Sequence, residues 1–119
     1  MTERLVCTLQ ELREKRVVGF DLGRNAVGRP QRGLVVINEA GDIFAYQDLC
    51  RHLPVYLDVS RRYLSDDKHH LVCMTHGALY RIHDGLCIAG PCDGLALYPL
   101  PLRQHDDQLW VTWPLPSES

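Results

Sequence analysis

Two short segments of the chain combine cysteine with histidine at spacings that suit a metal centre. One residue separates Cys50 from His52, and two residues separate Cys73 from His76. Each pair is close enough in the chain to bind one metal ion from a single short loop. Thiolate sulfur and neutral imidazole select zinc, copper or iron–sulfur chemistry over hard ions such as calcium or magnesium. The two pairs together therefore make a complete set of four ligands.

Two kinds of site use such a set. The first is a structural zinc site with two cysteines and two histidines in a closed tetrahedron. The second is a [2Fe–2S] cluster in which two cysteines hold one iron and two histidines hold the other. The ligand types alone do not decide between these sites.

The composition limits the classes of protein that could carry this centre. The chain has 119 residues, of which 45% are hydrophobic, and its formal net charge is -2. This length fits one domain with a substantial core, so we expect a single domain over residues 1–119. Because acidic residues slightly outnumber basic ones, a general nucleic-acid binder is not expected.

The cysteines and the first residues indicate a reducing compartment. The segment MTERLVCTLQELREKR is charged from its third residue and contains no long apolar run, so we expect neither a secretory signal nor a membrane anchor. The expected compartment is the cytoplasm, where thiols stay reduced. Five cysteines are an odd number, which fits poorly with a disulfide framework.

Short apolar or alternating runs separated by turn residues must position the four ligands. They predict strands over residues 5–7, 17–22, 33–37, 43–46, 71–73, 79–82 and 109–113. Thr8 and Glu11 form a capping-box pattern that predicts one short helix after the first strand. No long segment has helical periodicity, so the pattern predicts a compact all-β barrel or sandwich. Residues 48–70 form a polar stretch whose length is typical of a functional loop.

The surroundings of the ligands favour the iron–sulfur alternative. Gly77 and Ala78 follow His76, and a Gly-Pro-Cys turn stands at residues 90–92. In these motifs, C-x-H, then C-x-x-H-G-A, then G-P-C, the sequence resembles the stand-alone Rieske-type [2Fe–2S] ferredoxin family. The resemblance covers about residues 34–113 and includes the segment LYPLP at residues 97–101.

The resemblance implies a Rieske-like β-sandwich base that carries a small, loop-built cluster-binding part over about residues 48–94. In that family pattern, Cys50 and Cys73 hold the inner iron of one [2Fe–2S] cluster, and His52 and His76 hold the outer iron near the surface. The loop containing Pro91 covers the cluster on a third side. The implied ligands and their surroundings are Cys50, His52, Cys73, His76, Gly77, Tyr80 and Pro91.

The chain departs from the family at two places that do not touch a ligand. Pro54 stands where the family usually has glycine, and residues 58–70 lengthen the stretch between the ligand pairs. Cys87 and Cys92 are expected to be small residues that pack beneath the cluster loops. Cys7 is expected to be buried in a strand.

The implied function is that of a soluble one-electron carrier and not of an enzyme. A flavin-containing reductase would reduce it, and a terminal enzyme, typically a ring-hydroxylating oxygenase, would accept the electron. The length leaves no room for an oxygenase catalytic domain. Alternatives are a small Rieske subunit of a larger reductase complex, such as nitrite reductase, a structural zinc interaction module, and a redox-sensing or maturation role.

The reduction potential is the first property that these residues predict. High-potential relatives have a disulfide and a serine at positions that correspond here to Val55, Thr75 and Ala78. Both features are missing, whereas Tyr80 stands where those relatives place a tyrosine hydroxyl donor. We therefore expect a low-potential centre, raised slightly by Tyr80, within the general Rieske span of about -150 to +300 mV. A redox titration measures it, and a midpoint above about +100 mV in that span would contradict the prediction.

Overall fold

A computed structural model describes residues 2–51, 55–58, 62–75 and 77–113 of the chain. Nine strands and one helix make up this part of the protein. They are β1 Thr2–Thr8, α1 Leu9–Lys15, β2 Val17–Arg24, β3 Pro30–Ile37, β4 Ile43–Gln47, β5 His70–Val72, β6 Leu79–Arg81, β7 Cys87–Ala89, β8 Leu102–His105 and β9 Gln108–Trp113. The all-β prediction is confirmed.

The strands form three antiparallel sheets of three strands each, in the orders β1-β9-β8, β2-β3-β4 and β5-β6-β7. The first sheet joins the two ends of the described chain, because β1 pairs with β9 from Thr2↔Trp113 to Thr8↔Gln108. The second sheet contains the predicted hairpin, in which Gly33 pairs with Gln47 and Ile37 with Ile43. We call β5-β6-β7 the small sheet.

The single described helix begins where the capping pattern predicts. The Glu11 backbone N–H donates to Thr8 Oγ1 at 3.1 Å, which satisfies one of the free donors of the first turn. The Glu11 carboxylate pairs with Lys15 at 3.0 Å. The helix ends at Arg16, whose φ is 72°. Leu12 is fully buried, and no described helix is long and apolar enough to cross a membrane.

The buried side chains separate into two apolar clusters. The base cluster lies among α1, β1, β9 and one face of the sheet β2-β3-β4. It includes Leu12, Val35, Leu109 and Val111. The site cluster includes Leu34, Val36 and Tyr46 of the β3-β4 hairpin together with buried residues of the small sheet and of the segments around it. Strand β3 contributes to both clusters because its successive side chains point to opposite faces, and Val35 and Val36 are both fully buried.

The sequence pattern missed two short strands, β7 and β8. β7 has three residues and lies between glycine-rich turns, so it carries little alternation of its own. β8 is half-exposed to exposed along its length, with Leu102 as its least exposed residue. It pairs with β9 around a turn in which Asp106 has a φ of 53°. Trp113 is buried and Trp110 lies on the opposite side of β9, as the simple alternation requires.

The docking of the helix on the base cluster gives a stability prediction. Replacing the fully buried Leu12 with alanine is expected to lower the free energy of unfolding by about 2–5 kcal/mol, because it leaves a cavity. Leu5→Ala is the matched control, since Leu5 is 50% exposed, and it is expected to cost only about 0.5 kcal/mol. Urea unfolding of both variants measures the difference, and equal losses would contradict the assignment of Leu12 to the core.

Candidate metal centre

Two loops bring Cys50 and Cys73 into the same buried cluster. We call residues 50–55 the first loop and residues 73–78 the second loop. The Cys50 N–H donates to the Val55 carbonyl oxygen at 2.9 Å, and the Cys73 N–H donates to the Ala78 carbonyl oxygen at 2.9 Å. Each cysteine therefore stands at the closed base of its own loop.

The two loops are also joined through the segment that follows the first one. The Met74 N–H donates to the carbonyl oxygen of Leu57 at 2.7 Å. Within the second loop the Gly77 N–H donates back to the Cys73 carbonyl oxygen at 2.8 Å, and Gly77 has a φ of 70°. That conformation is favourable for glycine and strained for other residues. The backbone of this turn therefore explains why glycine follows His76 in the sequence.

Both cysteines are buried and belong to the site cluster. Cys50 is 3% exposed and Cys73 is 0% exposed. Cys50 follows β4 after two residues, and Cys73 follows β5 directly. The strands of two different sheets thus position the two thiols.

The predicted histidine ligands lie outside the described residues. His52 and Pro54 fall between the described residues 51 and 55, and His76 falls between the described residues 75 and 77. Their roles remain predictions from the sequence. Among the residues that the structure does describe, no three histidine, cysteine, aspartate or glutamate side chains converge as metal ligands.

Tyr80 lies in the middle of β6 with its hydroxyl among sulfur atoms. The hydroxyl oxygen accepts a hydrogen bond from the Arg51 N–H at 3.2 Å and lies 3.8 Å from Cys50 Sγ. It lies 2.9 Å from Cys92 Sγ. Burial, followed by the hydrogen bond with Cys92, raises the pKa of Tyr80, so the phenol keeps its proton at neutral pH. The structure thus places Tyr80 beside a predicted cluster ligand.

A third loop, residues 90–95, follows β7 and packs against the second loop. Gly90 has a φ of 100°, and a side chain there would meet the Ala78 Cα at 2.8 Å. The Cys87 N–H donates to the Leu95 carbonyl oxygen at 2.7 Å, which closes the loop at its base. Cys87 and Cys92 are both buried, as expected, whereas Pro91 is exposed in the turn.

The polar network below the first loop was not anticipated from the sequence. Asp48 is 2% exposed, and its Oδ1 accepts the Leu57 N–H at 2.7 Å. Its Oδ2 accepts the Tyr63 hydroxyl at 2.7 Å and lies 3.4 Å from Arg32 Nε. Burial and the neighbouring Asp48 charge raise the pKa of Tyr63, which keeps this donor protonated.

The network connects three separate parts of the chain: strand β3, the entry to the first loop, and the polar stretch. Arg32 also donates to the Tyr63 oxygen at 3.1 Å and to the Asp58 carbonyl oxygen at 3.4 Å. A signal was present in the sequence, since a carboxylate directly follows an apolar strand and precedes a predicted ligand cysteine by two residues. Its burial and its partners, however, depend on residues distant in the chain.

Arg51 is held in place beside Cys50, the first of the two cysteines predicted to be ligands. Its guanidinium donates to the carbonyl oxygen of Ala96 and lies over the Tyr98 ring, 4.3 Å from the ring centroid. The side chain is half-buried. Arg51 therefore ties the first loop to the segment after the third loop and leaves a positive charge beside the predicted site.

The described donors fit an iron–sulfur cluster. The buried Cys50 and Cys73 lie on adjoining loops, and the Tyr80 hydroxyl lies 3.8 Å from Cys50 Sγ. Thiolates and imidazoles are the ligands that such clusters require. The geometry by itself is also compatible with zinc, so the family decides.

The sequence profile of the Rieske [2Fe–2S] domain matches residues 2–99. The chain belongs to the Rieske [2Fe–2S] domain family. The resemblance found in the sequence is thus confirmed. Among curated proteins, none matches this sequence.

Solved structures confirm the Rieske ferredoxin fold. The ferredoxin of carbazole 1,9a-dioxygenase from Nocardioides aromaticivorans IC177 is 21% identical, with a TM-score of 0.68 over 94% of this chain and 98% of that one. The Sphingomonas yanoikuyae B1 ferredoxin is 18% identical, with a TM-score of 0.71 over 95% of this chain and 100% of that one. The terminal oxygenase of carbazole 1,9a-dioxygenase from Novosphingobium sp. KA1 is 22% identical, with a TM-score of 0.69 over 92% of this chain and only 29% of that one.

The Asp48 network of this Rieske domain gives a second stability prediction. Asp48→Ala is expected to lower the free energy of unfolding by about 3–5 kcal/mol, because it leaves the buried Arg32 charge without its carboxylate. Asp48→Asn keeps an oxygen acceptor and is expected to cost less. Denaturant unfolding checks both values. The control is Glu39→Ala, which removes an exposed carboxylate, and a loss as large as that of Asp48→Ala would contradict the prediction.

Proposed function

We propose that this Rieske domain is a one-electron carrier whose cluster is held by Cys50, His52, Cys73 and His76. The observation that supports the proposal most strongly is the burial of Cys50 and Cys73 on two hydrogen-bonded loops within a chain of this family. We also propose that residues 1–119 form one domain, with a cluster-binding part over about residues 48–94.

The four proposed ligands differ in their charge. Cys50 and Cys73 supply negative thiolates in the buried interior, where they hold the inner iron. His52 and His76 supply neutral imidazoles for the outer iron. A bound [2Fe–2S] cluster supplies a centre that takes up and releases one electron. Because two imidazoles replace two thiolates, the centre is less negative, and its potential exceeds the value of about -400 mV that is typical of plant-type ferredoxins.

The surrounding groups of the chain stabilise the more negative, reduced state. The site includes the Tyr80 hydroxyl 3.8 Å from Cys50 Sγ and the half-buried Arg51 beside it. Hydrogen bonds to the sulfurs and solvent exposure tune the potentials of such clusters. Gly77 allows the second loop to turn tightly. Pro91, the exposed residue of the Gly-Pro-Cys turn in the third loop, is proposed to cover the centre and keep water out.

The partners are proposed to be redox proteins, a flavin-containing reductase as donor and a terminal oxygenase as acceptor, in the cytoplasm. Support comes from a solved structure of a complex of reduced oxygenase and oxidized ferredoxin in carbazole 1,9a-dioxygenase. The matching chain of that structure is 18% identical, with a TM-score of 0.67 over 92% of each chain. Exposed apolar side chains near the loops, Met74, Leu95 and Tyr98, suit a small, transient electron-transfer contact.

The ligand assignment predicts a specific spectroscopic signature. Electron paramagnetic resonance of the dithionite-reduced protein is expected to show a Rieske signal, with an average g below that of all-cysteine clusters, because histidines replace two thiolates. The purified protein is expected to be reddish-brown. A colourless protein that contains zinc, with no such signal after anaerobic reconstitution, would overturn the proposed function.

Single substitutions then test each ligand. Cys50→Ser, Cys73→Ser, His52→Ala and His76→Ala are expected to abolish the Rieske signal, because each removes one of four ligands. The matched controls are Cys7→Ser, a buried cysteine of the base cluster, and His83→Ala, an exposed histidine, and both are expected to retain the signal. A Rieske signal that survived in Cys50→Ser or Cys73→Ser would contradict the assignment.

A further inference from the structure

The Tyr80 hydroxyl has one proton and two sulfur atoms to which it could donate. Its oxygen already accepts the Arg51 N–H at 3.2 Å. Cys92 Sγ lies 2.9 Å from it and Cys50 Sγ lies 3.8 Å from it. A phenol donates one hydrogen bond, so a bond to Cys92 is made at the expense of Cys50.

The proton of Cys92 is already committed elsewhere. The Cys92 thiol donates to Cys87 Sγ at 3.2 Å, and the Cys87 thiol donates to the Ala89 carbonyl oxygen at 3.2 Å. A thiol has one proton, so Cys92 can only accept from Tyr80. Burial, followed by the hydrogen bond with Cys92, raises the pKa of Cys87 to about 11, which keeps this thiol protonated. The donors therefore run in one direction, from Tyr80 to Cys92 to Cys87 to Ala89.

The backbone of the third loop holds Cys92 at this position. The Leu95 N–H donates to the Cys92 carbonyl oxygen at 3.0 Å, and the Gly94 N–H donates to the Cys87 carbonyl oxygen at 3.1 Å. Gly90 lies directly against Ala78 of the second loop. The closeness of Cys92 to Tyr80 therefore follows from the packing of the third loop on the second loop.

We propose that Cys92, oriented by Cys87, competes with Cys50 for the Tyr80 hydroxyl proton and thereby lowers the reduction potential of the centre. The inference rests on the proposed ligation by Cys50. A hydrogen bond to a ligand sulfur favours the reduced state, because that state carries more negative charge. Cys92 withdraws part of this stabilisation, so it is a positioning residue for Tyr80 and does not touch the cluster itself.

A double-mutant cycle on the cluster-loaded protein tests this competition. Cys92→Ala is expected to shift the midpoint potential upward, because Cys50 is then the sulfur acceptor that remains for the Tyr80 proton among the described residues. We expect a several-fold change in the equilibrium constant for reduction, where tenfold corresponds to about 59 mV for one electron. Tyr80→Phe is expected to shift the midpoint downward, and adding Cys92→Ala to Tyr80→Phe is expected to produce no further shift.

Two further variants keep the test decisive. Cys87→Ala releases the Cys92 proton, which can then be donated to the Tyr80 oxygen, so it is expected to shift the midpoint upward as well, by less. It decides the matter if Cys92→Ala does not fold. Cys7→Ala removes a buried thiol of the other cluster and is expected to leave the midpoint unchanged.

The midpoint shifts of the same variants also show which results would contradict the proposal. If Cys92→Ala and Cys87→Ala leave the potential unchanged or lower it, Cys92 does not compete for the proton. If the upward shift is equally large in the Tyr80→Phe background, it arises from packing or water access, and the inference is also wrong. A wild-type protein without a Rieske signal would instead refute the proposed ligation, so the two failures are distinguishable before any variant is titrated.

Discussion

The loops that carry Cys50 and Cys73 depend on one buried carboxylate. Asp48 accepts hydrogen bonds from the Leu57 N–H and the Tyr63 hydroxyl and lies beside the Arg32 guanidinium. A buried charge is tolerated only when it is paired and hydrogen-bonded, so these groups must be held together. The Met74 N–H donates a hydrogen bond to the Leu57 carbonyl oxygen, which joins the second loop to the same segment. One polar network therefore sets the spacing of both loops.

The apolar surroundings of the site affect the strength of its hydrogen bonds. Cys50, Cys73, Tyr80 and Cys92 all belong to one buried cluster, so few water molecules compete for their hydrogen bonds. In a medium of low dielectric constant, a single phenol proton has more influence than it would have in water. For that reason, the sulfur atom to which Tyr80 donates affects the proposed function. The choice depends on the third loop as much as on the first and second loops.

Much of the fold could be predicted from local pattern. The helix start at Thr8 and the hairpin of β3 and β4 follow from capping and alternation, which are local. Strands β7 and β8 could not be predicted in this way, because each is only three or four residues long and acquires its conformation by pairing with β6 or β9. The Arg32–Asp48–Tyr63 network was missed for a related reason, since its members are distant in the chain.

The sequence by itself was enough to indicate the family of the protein, because residue types and their spacing within short loops are local properties. Cys50 with His52, Cys73 with His76 and the Gly-Pro-Cys turn were enough to indicate the family that the profile match then showed. Only the tertiary structure decided what surrounds the two cysteines. The 2.9 Å approach of Tyr80 to Cys92 and the burial of Asp48 arise where separate strands and loops pack together, and packing between distant segments leaves no periodic trace in the sequence.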